Sequence, residues 1–173
     1  MDTMGKMIAP DTLRFERLLP GPIERVWAYL TESDKRGKWF ASGEMQLFEG
    51  GKATLFFLHK ELSPVPGPPP EKFKDMEAGT SSTGTILKVN APYLLSFTFE
   101  GDSEVTITLE EKQDKVLLVL THTKLPKDTY ARISMSGGWH THLDVLQDHL
   151  EGKVPPNFWQ RYMEMEEEYA RRF

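Results

Sequence analysis

The chain has no cysteine. Disulfides, thiolate nucleophiles and cysteine zinc ligands are excluded together, and a reducing cytoplasm is the expected compartment. No apolar run approaches the roughly 20 residues that span a bilayer, so no membrane span is expected. The opening stretch, MDTMGKMIAP, lacks the apolar centre of a secretion signal. Positive charge is not in excess either. The net charge is -5, which argues against nucleic acid as a partner, because phosphate binding wants a basic face. No phosphate-cradling glycine loop, no nucleophile elbow and no internal repeat is visible.

What is present suits one folded unit. The 173 residues are 39% hydrophobic and 27% charged, which allows a single domain over 1–173 with a core of its own. Leu13, Phe15 and Leu19 alternate with Thr12, Arg14 and Glu16, as in a half-buried strand. Pro20-Gly21-Pro22 ends it, and Pro22 suits the first position of a helix. Ile23, Val26, Trp27 and Leu30 then recur at helical spacing, and Ser33 can cap a second short helix before Trp39-Phe40.

The period then switches to two. EMQLFEGGKATLFFLH predicts a hairpin turned at Gly50-Gly51, and STGTILKV, YLLSFTFE, SEVTITLEE and KVLLVLTHT predict four more strands in an antiparallel meander. Residues 63–82 interrupt it with SPVPGPPPEKFKDMEAGTSS, too proline-rich for a strand interior or a helix. We expect a long loop over the sheet or the pocket mouth. A proline-motif ligand for another domain is the alternative.

Asp128 or Thr129 can cap a long helix that runs to about Glu151 and stops at Gly152. Pro155-Pro156-Asn157 then opens a final helix over about 157–172. Its stripe is Phe158, Tyr162, Met165, Tyr169 and Phe173, with Glu167–Arg171 and Glu168–Arg172 as helical pairs. The class is α+β: a curved antiparallel sheet of about six or seven strands, two short helices after the first strand, a long covering helix and an extra C-terminal helix. A sheet curled on one helix leaves a gap where the two diverge.

Several pieces, in order, carry a resemblance. They are LLPGPIERVWAYLTESDKRGKWF, GTILKVNAPYLLSFTF, LLVLTHTKL and GGWHTHLDVLQDHL. The chain resembles the START/Bet v 1-like (SRPBCC) superfamily over about 11–151, and within it the group related to the C-terminal domain of the activator of Hsp90 ATPase. The resemblance implies the helix-grip fold with a cavity between helix and sheet. It also implies one of three functions: a ligand carrier, a protein-interaction module for a chaperone-like partner, or a cyclase- or hydrolase-like enzyme using pocket histidines.

Three of the five histidines crowd into WHTHLDVLQDH. On a helix, Trp139, Leu143, Leu146 and Leu150 share one side, with His142 and His149 on one flank and His140 on the other. His140 and His142 point about 160° apart, and His142 and His149 lie roughly 10 Å apart along the axis, so neither pair can ligate one metal. His140 and Asp144, four residues apart, could bite one ion or form a surface ion pair; the pair is expected, with His142 and His149 bordering the sheet contact. His122 continues the phase of Val116, Leu118 and Leu120. It is expected inside, either bonded to backbone or anchoring a ligand. Gly137-Gly138 cost a helix about 1 kcal/mol each, so close approach, a kink or room for a ligand is expected there.

The expected site is a small-molecule cavity between the Trp139–Leu150 helix and the sheet, without metal or cofactor. It opens toward Trp39-Phe40 and the proline-rich loop. Its candidate lining is Trp39, Phe57, Phe97, Ile107, Leu118, His122, Gly138, Trp139, His142 and Leu143. The expected partner is a small hydrophobic molecule, with a chaperone-like protein as alternative, and the expected state is monomer or homodimer.

Overall fold

Alternating side chains build one antiparallel sheet in the computed structural model, which describes residues 1–173. Its strands are β1 (Lys6–Ala9), β2 (Thr12–Pro20), β3 (Lys52–Phe57), β4 (Thr80–Asn90), β5 (Leu94–Thr98), β6 (Glu104–Lys112) and β7 (Lys115–Thr123). The spatial order is β1-β2-β7-β6-β5-β4-β3. The meander β3 to β7 is thus closed by β2, whose Phe15 lies opposite Leu120. Inward residues on the strands, among them Leu13, Phe15, Phe97, Ile107, Leu118 and Leu120, are buried against the helical side.

The helices are α1 (Ile23–Thr31), α2 (Ser33–Arg36), α3 (Thr129–Glu151) and α4 (Phe158–Arg172). Both long helices start on a side-chain cap. The Asp128 carboxylate accepts from the Ala131 N–H, and the Asn157 side chain accepts from the Gln160 N–H. Gly152 ends α3 in the left-handed conformation, at φ 73°, which glycine adopts without strain. The curved sheet, the long helix laid on it and the added C-terminal helix make the helix-grip fold.

Five local expectations are corrected. Strand β1 precedes the first expected strand. Pro22 sits at the N-cap of α1, just before the first helical residue. Ser33 caps no helix, because its hydroxyl accepts from the Gly43 N–H at 2.8 Å instead. The first arm of the Gly50-Gly51 hairpin is not a strand. It makes only bridges, Ser42 to Phe56 and Met45 to Ala53. Just before that arm the buried Arg36 guanidinium takes the carbonyls of Ala41 and Gly43, on the edge turned away from β3. Finally, β4 begins at Thr80, inside the proline-rich segment, which also folds a 3-10 turn at Glu71–Met76.

That segment is pinned to α4. The Ser63 hydroxyl donates to the Pro155 carbonyl, Lys72 pairs with Glu166, and Phe73 stacks on Trp159. Helix α4 itself docks through Phe158, Trp159, Tyr162, Met165 and Tyr169. Of its two expected ion pairs Glu168–Arg172 forms, at 3.2 Å, whereas Arg171 also turns to Glu168 and leaves Glu167 out.

Helix α3 is therefore not a simple amphipathic cover. It lies between the sheet and α4, and Ser136, Gly137 and Trp139 through Leu143 are all buried. Three of its histidines belong to this sandwiched stretch or its end because each has a different surface to meet. His140 faces α4, where Nδ1 meets the Tyr169 hydroxyl at 2.9 Å. His142 faces the other way, where Nδ1 meets the Trp39 carbonyl at 2.7 Å.

Candidate functional site

The two glycines of α3 have separate roles. A Cβ on Gly137 would stand 3.3 Å from the Tyr162 ring, so this glycine lets α4 approach closely. A Cβ on Gly138 would meet nothing within 4 Å. Beside Gly138 lies a cleft of about 150 Å³. Its walls are aromatic: Phe40, Phe57, Phe99 and Trp139, with Met135 from α3. Phe40 stacks on Trp139 at 5.0 Å between centroids and meets Phe57 edge-on at 4.9 Å. Met76, Thr80 and the exposed Glu100 border the opening, so the proline-rich segment does reach the mouth.

Two imidazoles enter this apolar wall. His142 and His59 lie 5.9 Å apart between ring centroids. His59 is packed among Phe57, Phe158 and Trp159. Burial holds His59 down to about 4. Burial, helped by the neighbouring His59, holds His142 down to about 3. Both are neutral at pH 7. A carbonyl only accepts, so Nδ1 of His142 carries the proton it donates to Trp39. Nδ1 of His59 is buried with no hydrogen-bond partner.

Of the expected lining, Phe57, Gly138, Trp139 and His142 meet in the cleft. Trp39, Phe97, Ile107, Leu118, His122 and Leu143 do not. Trp39 lies one layer away, its indole N–H donating to the Tyr29 carbonyl at 2.8 Å. Phe97, Ile107, Leu118 and Leu143 are fully packed core. The expected cavity along Trp139–Leu150 is displaced to the first half of α3, because Leu143, Leu146 and Leu150 fill the later contact with the sheet. His122 is buried, but its partners are side chains and not backbone. Nδ1 accepts from the Trp139 indole N–H at 2.9 Å, and Nε2 meets the Ser103 hydroxyl at 2.8 Å. Both ring nitrogens are spent.

His140 is not part of a surface ion pair. Its Nε2 lies 3.5 Å from Asp144, yet that carboxylate is engaged by Arg17 at 2.8 Å and Arg161 at 3.1 Å. Burial outweighs the attraction of Asp144 and holds His140 down to about 4. No three acidic or histidine side chains converge as a cation site. Reading the sequence missed His59, Phe99, Met76 and Met135. Phe99 continues the inward phase of Phe97 and could have been named. His59 follows β3 in a turn whose direction no period reports.

The chain matches the model for Activator of Hsp90 ATPase homolog 1-like proteins over residues 20–151. No curated protein matches it. Among solved structures, it is similar to a Bordetella parapertussis protein with 39% identity, over 99% of this chain and 91% of that one, at a TM-score of 0.83. CalU16 of Micromonospora echinospora aligns at 23% identity, over 97% and 93%, with a TM-score of 0.65. An AHSA1-like protein of Aeromonas hydrophila aligns at 21% identity, over 80% and 92%, with a TM-score of 0.61. The last two likenesses concern the fold alone.

Proposed function

We propose that this chain, which belongs to the Activator of Hsp90 ATPase homolog 1-like family, binds one small, largely apolar molecule in the cleft beside Gly138. The fold suits a ligand-binding or interaction module, and no helix is long and apolar enough to cross a membrane. The observation that carries the reading is Gly138. It stands where α3 is otherwise sandwiched, faces open space, and adjoins an aromatic cleft. A helix interior gives up about 1 kcal/mol for glycine against alanine, and here no neighbour demands the missing side chain.

The volume limits the occupant. About 150 Å³ is the size of cavity that admits benzene, well short of the ~300 Å³ at which drug-sized pockets begin. One ring, or a short branched chain, fits. His59 and His142 also raise the question of acid–base chemistry. Groups held near 4 and 3 are weak bases at neutral pH and lack the imidazolium form that a general acid needs. They suit recognition better than proton transfer.

A single-ring apolar probe, toluene, titrated onto the native protein and followed by the NMR shifts of the cleft side chains tests the reading. It should bind once per chain, and Gly138→Leu should abolish binding while the melting transition is kept. Unchanged binding in that variant would remove the cleft as the site and leave the protein-interaction module as the working function.

A further inference from the structure

We infer that the cleft selects a neutral single-ring aromatic molecule carrying one hydroxyl or N–H group, which donates to Nε2 of His142. The inference rests on the ligand-binding reading above and adds the chemistry of the ligand.

The Trp39 carbonyl fixes the proton of His142 on Nδ1, so Nε2 presents a lone pair. That nitrogen has no protein partner. Unlike Nδ1 of His59, it is not sealed from solvent, and the ring lines the cleft. In the open cleft water can pair with Nε2, and a ligand that covers the cleft displaces that water. One that supplies a donor keeps the nitrogen paired, and one that does not leaves it buried and unpaired at a cost. The imidazole stays neutral at pH 7, so it offers an acceptor and not a cation.

The surroundings exclude other classes. An anion would lose its hydration among Phe40, Phe57, Phe99 and Trp139 with no cation in the lining, and would pass Glu100 at the mouth. A hydrocarbon of the same shape would fit but leave Nε2 unpaired. The volume holds one ring and little more.

Phenol and toluene differ only by hydroxyl against methyl and so separate the possibilities, with benzoate as the charged control. Binding is followed by the ring nitrogen signals of His142 in two-bond proton–nitrogen spectra of the wild-type protein. Phenol should bind about 5- to 10-fold more tightly than toluene, the worth of one neutral hydrogen bond. Nε2 should move away from its free lone-pair position with phenol only, and benzoate should not bind. An entirely apolar cleft would prefer toluene, because the hydroxyl would be buried unpaired. Toluene binding as well as phenol therefore overturns the hydrogen-bond inference and leaves the apolar cleft standing. Failure of both to perturb the cleft overturns the binding reading itself. His142→Phe should reverse the preference to toluene, and where that variant does not fold, the wild-type nitrogen shifts decide alone.

Discussion

Trp139 donates its indole N–H to Nδ1 of His122 across 2.9 Å, tying α3 to β7 in the middle of the core. That bond fixes the tautomer. Nδ1 accepts, so Nε2 carries the proton and donates to the Ser103 hydroxyl, which in turn donates a hydrogen bond to the Phe99 carbonyl. A polar chain thus crosses an apolar interior with each of these groups satisfied.

The chain should show as coupling energy. His122→Phe leaves the Trp139 N–H buried without an acceptor and should cost about 1–3 kcal/mol. Trp139→Phe strands Nδ1 of His122 and removes buried ring area as well. The double variant should lose less than the sum of the two by about 1 kcal/mol, measured by urea unfolding. Strict additivity would show that the contact carries no energy.

Acid should destabilise the fold well before carboxylates protonate. His59, His122 and His140 are held down to about 4 and His142 to about 3, all by burial. The ordinary histidine value is about 6.5. Between these limits the unfolded chain binds protons that the folded chain refuses, so stability rises with pH there. It is fully present above pH 6.5 and is lost as pH falls toward 4. Each histidine contributes a slope of up to about 1.4 kcal/mol per pH unit. Unfolding free energies at pH 7, 6 and 5 should therefore drop steeply. A flat profile over that range would mean that these imidazoles are protonated in the fold.

Tyr169 should be the residue that fastens α4. Its hydroxyl accepts from the Gly5 N–H at 2.7 Å and meets Nδ1 of His140 at 2.9 Å. The segment leading into β1, helix α3 and helix α4 meet at that one oxygen. Tyr169→Phe keeps the ring and removes both bonds, leaving two buried polar groups unpaired, and should cost about 2–4 kcal/mol in chemical denaturation. A cost below a few tenths of a kcal/mol would show that water replaces the hydroxyl.

Much of this architecture was legible. Periods of two and 3.6 located β2, β4 to β7 and the long helices, and of the two cap candidates Asp128 and Thr129 the structure uses Asp128. What escaped was set by distant partners. The arm before Gly50 meets β3 only at isolated bridges, Ser42 to Phe56 and Met45 to Ala53, which no local pattern reports. The inward phase correctly placed Phe97, Ile107 and Leu118 on the helix side, but inward is not the same as cleft-lining. All three are packed with Leu143 in one core cluster. His140 looked like a surface residue because periodicity shows one buried stripe, and α4 supplies a second surface that buries the opposite flank.

Gly138 gives the sharpest separation of stability from binding. A glycine kept for packing loses stability when it becomes alanine, because the new methyl strikes a neighbour. Gly137 is tight in that way, with the Tyr162 ring 3.3 Å from the added Cβ, so whether the ring can give decides the sign there. Gly138 has only open space there, so Gly138→Ala should gain the helical preference of alanine, about 0.5–1 kcal/mol. Gly137→Ala should gain less than that, or lose, because Tyr162 is held by Ser134 and Glu166 and yields poorly. The same Gly138 methyl intrudes on the cleft and should weaken a bound ring severalfold, with larger side chains excluding it. Thermal melts and probe titrations on Ala, Val and Leu variants at both positions measure the two effects side by side. A stabilised but non-binding Gly138→Ala fits a site in which helix stability is given up for an open pocket. A destabilised Gly138→Ala would place the residue with Gly137 as packing and remove the argument that the cleft is held open for a ligand.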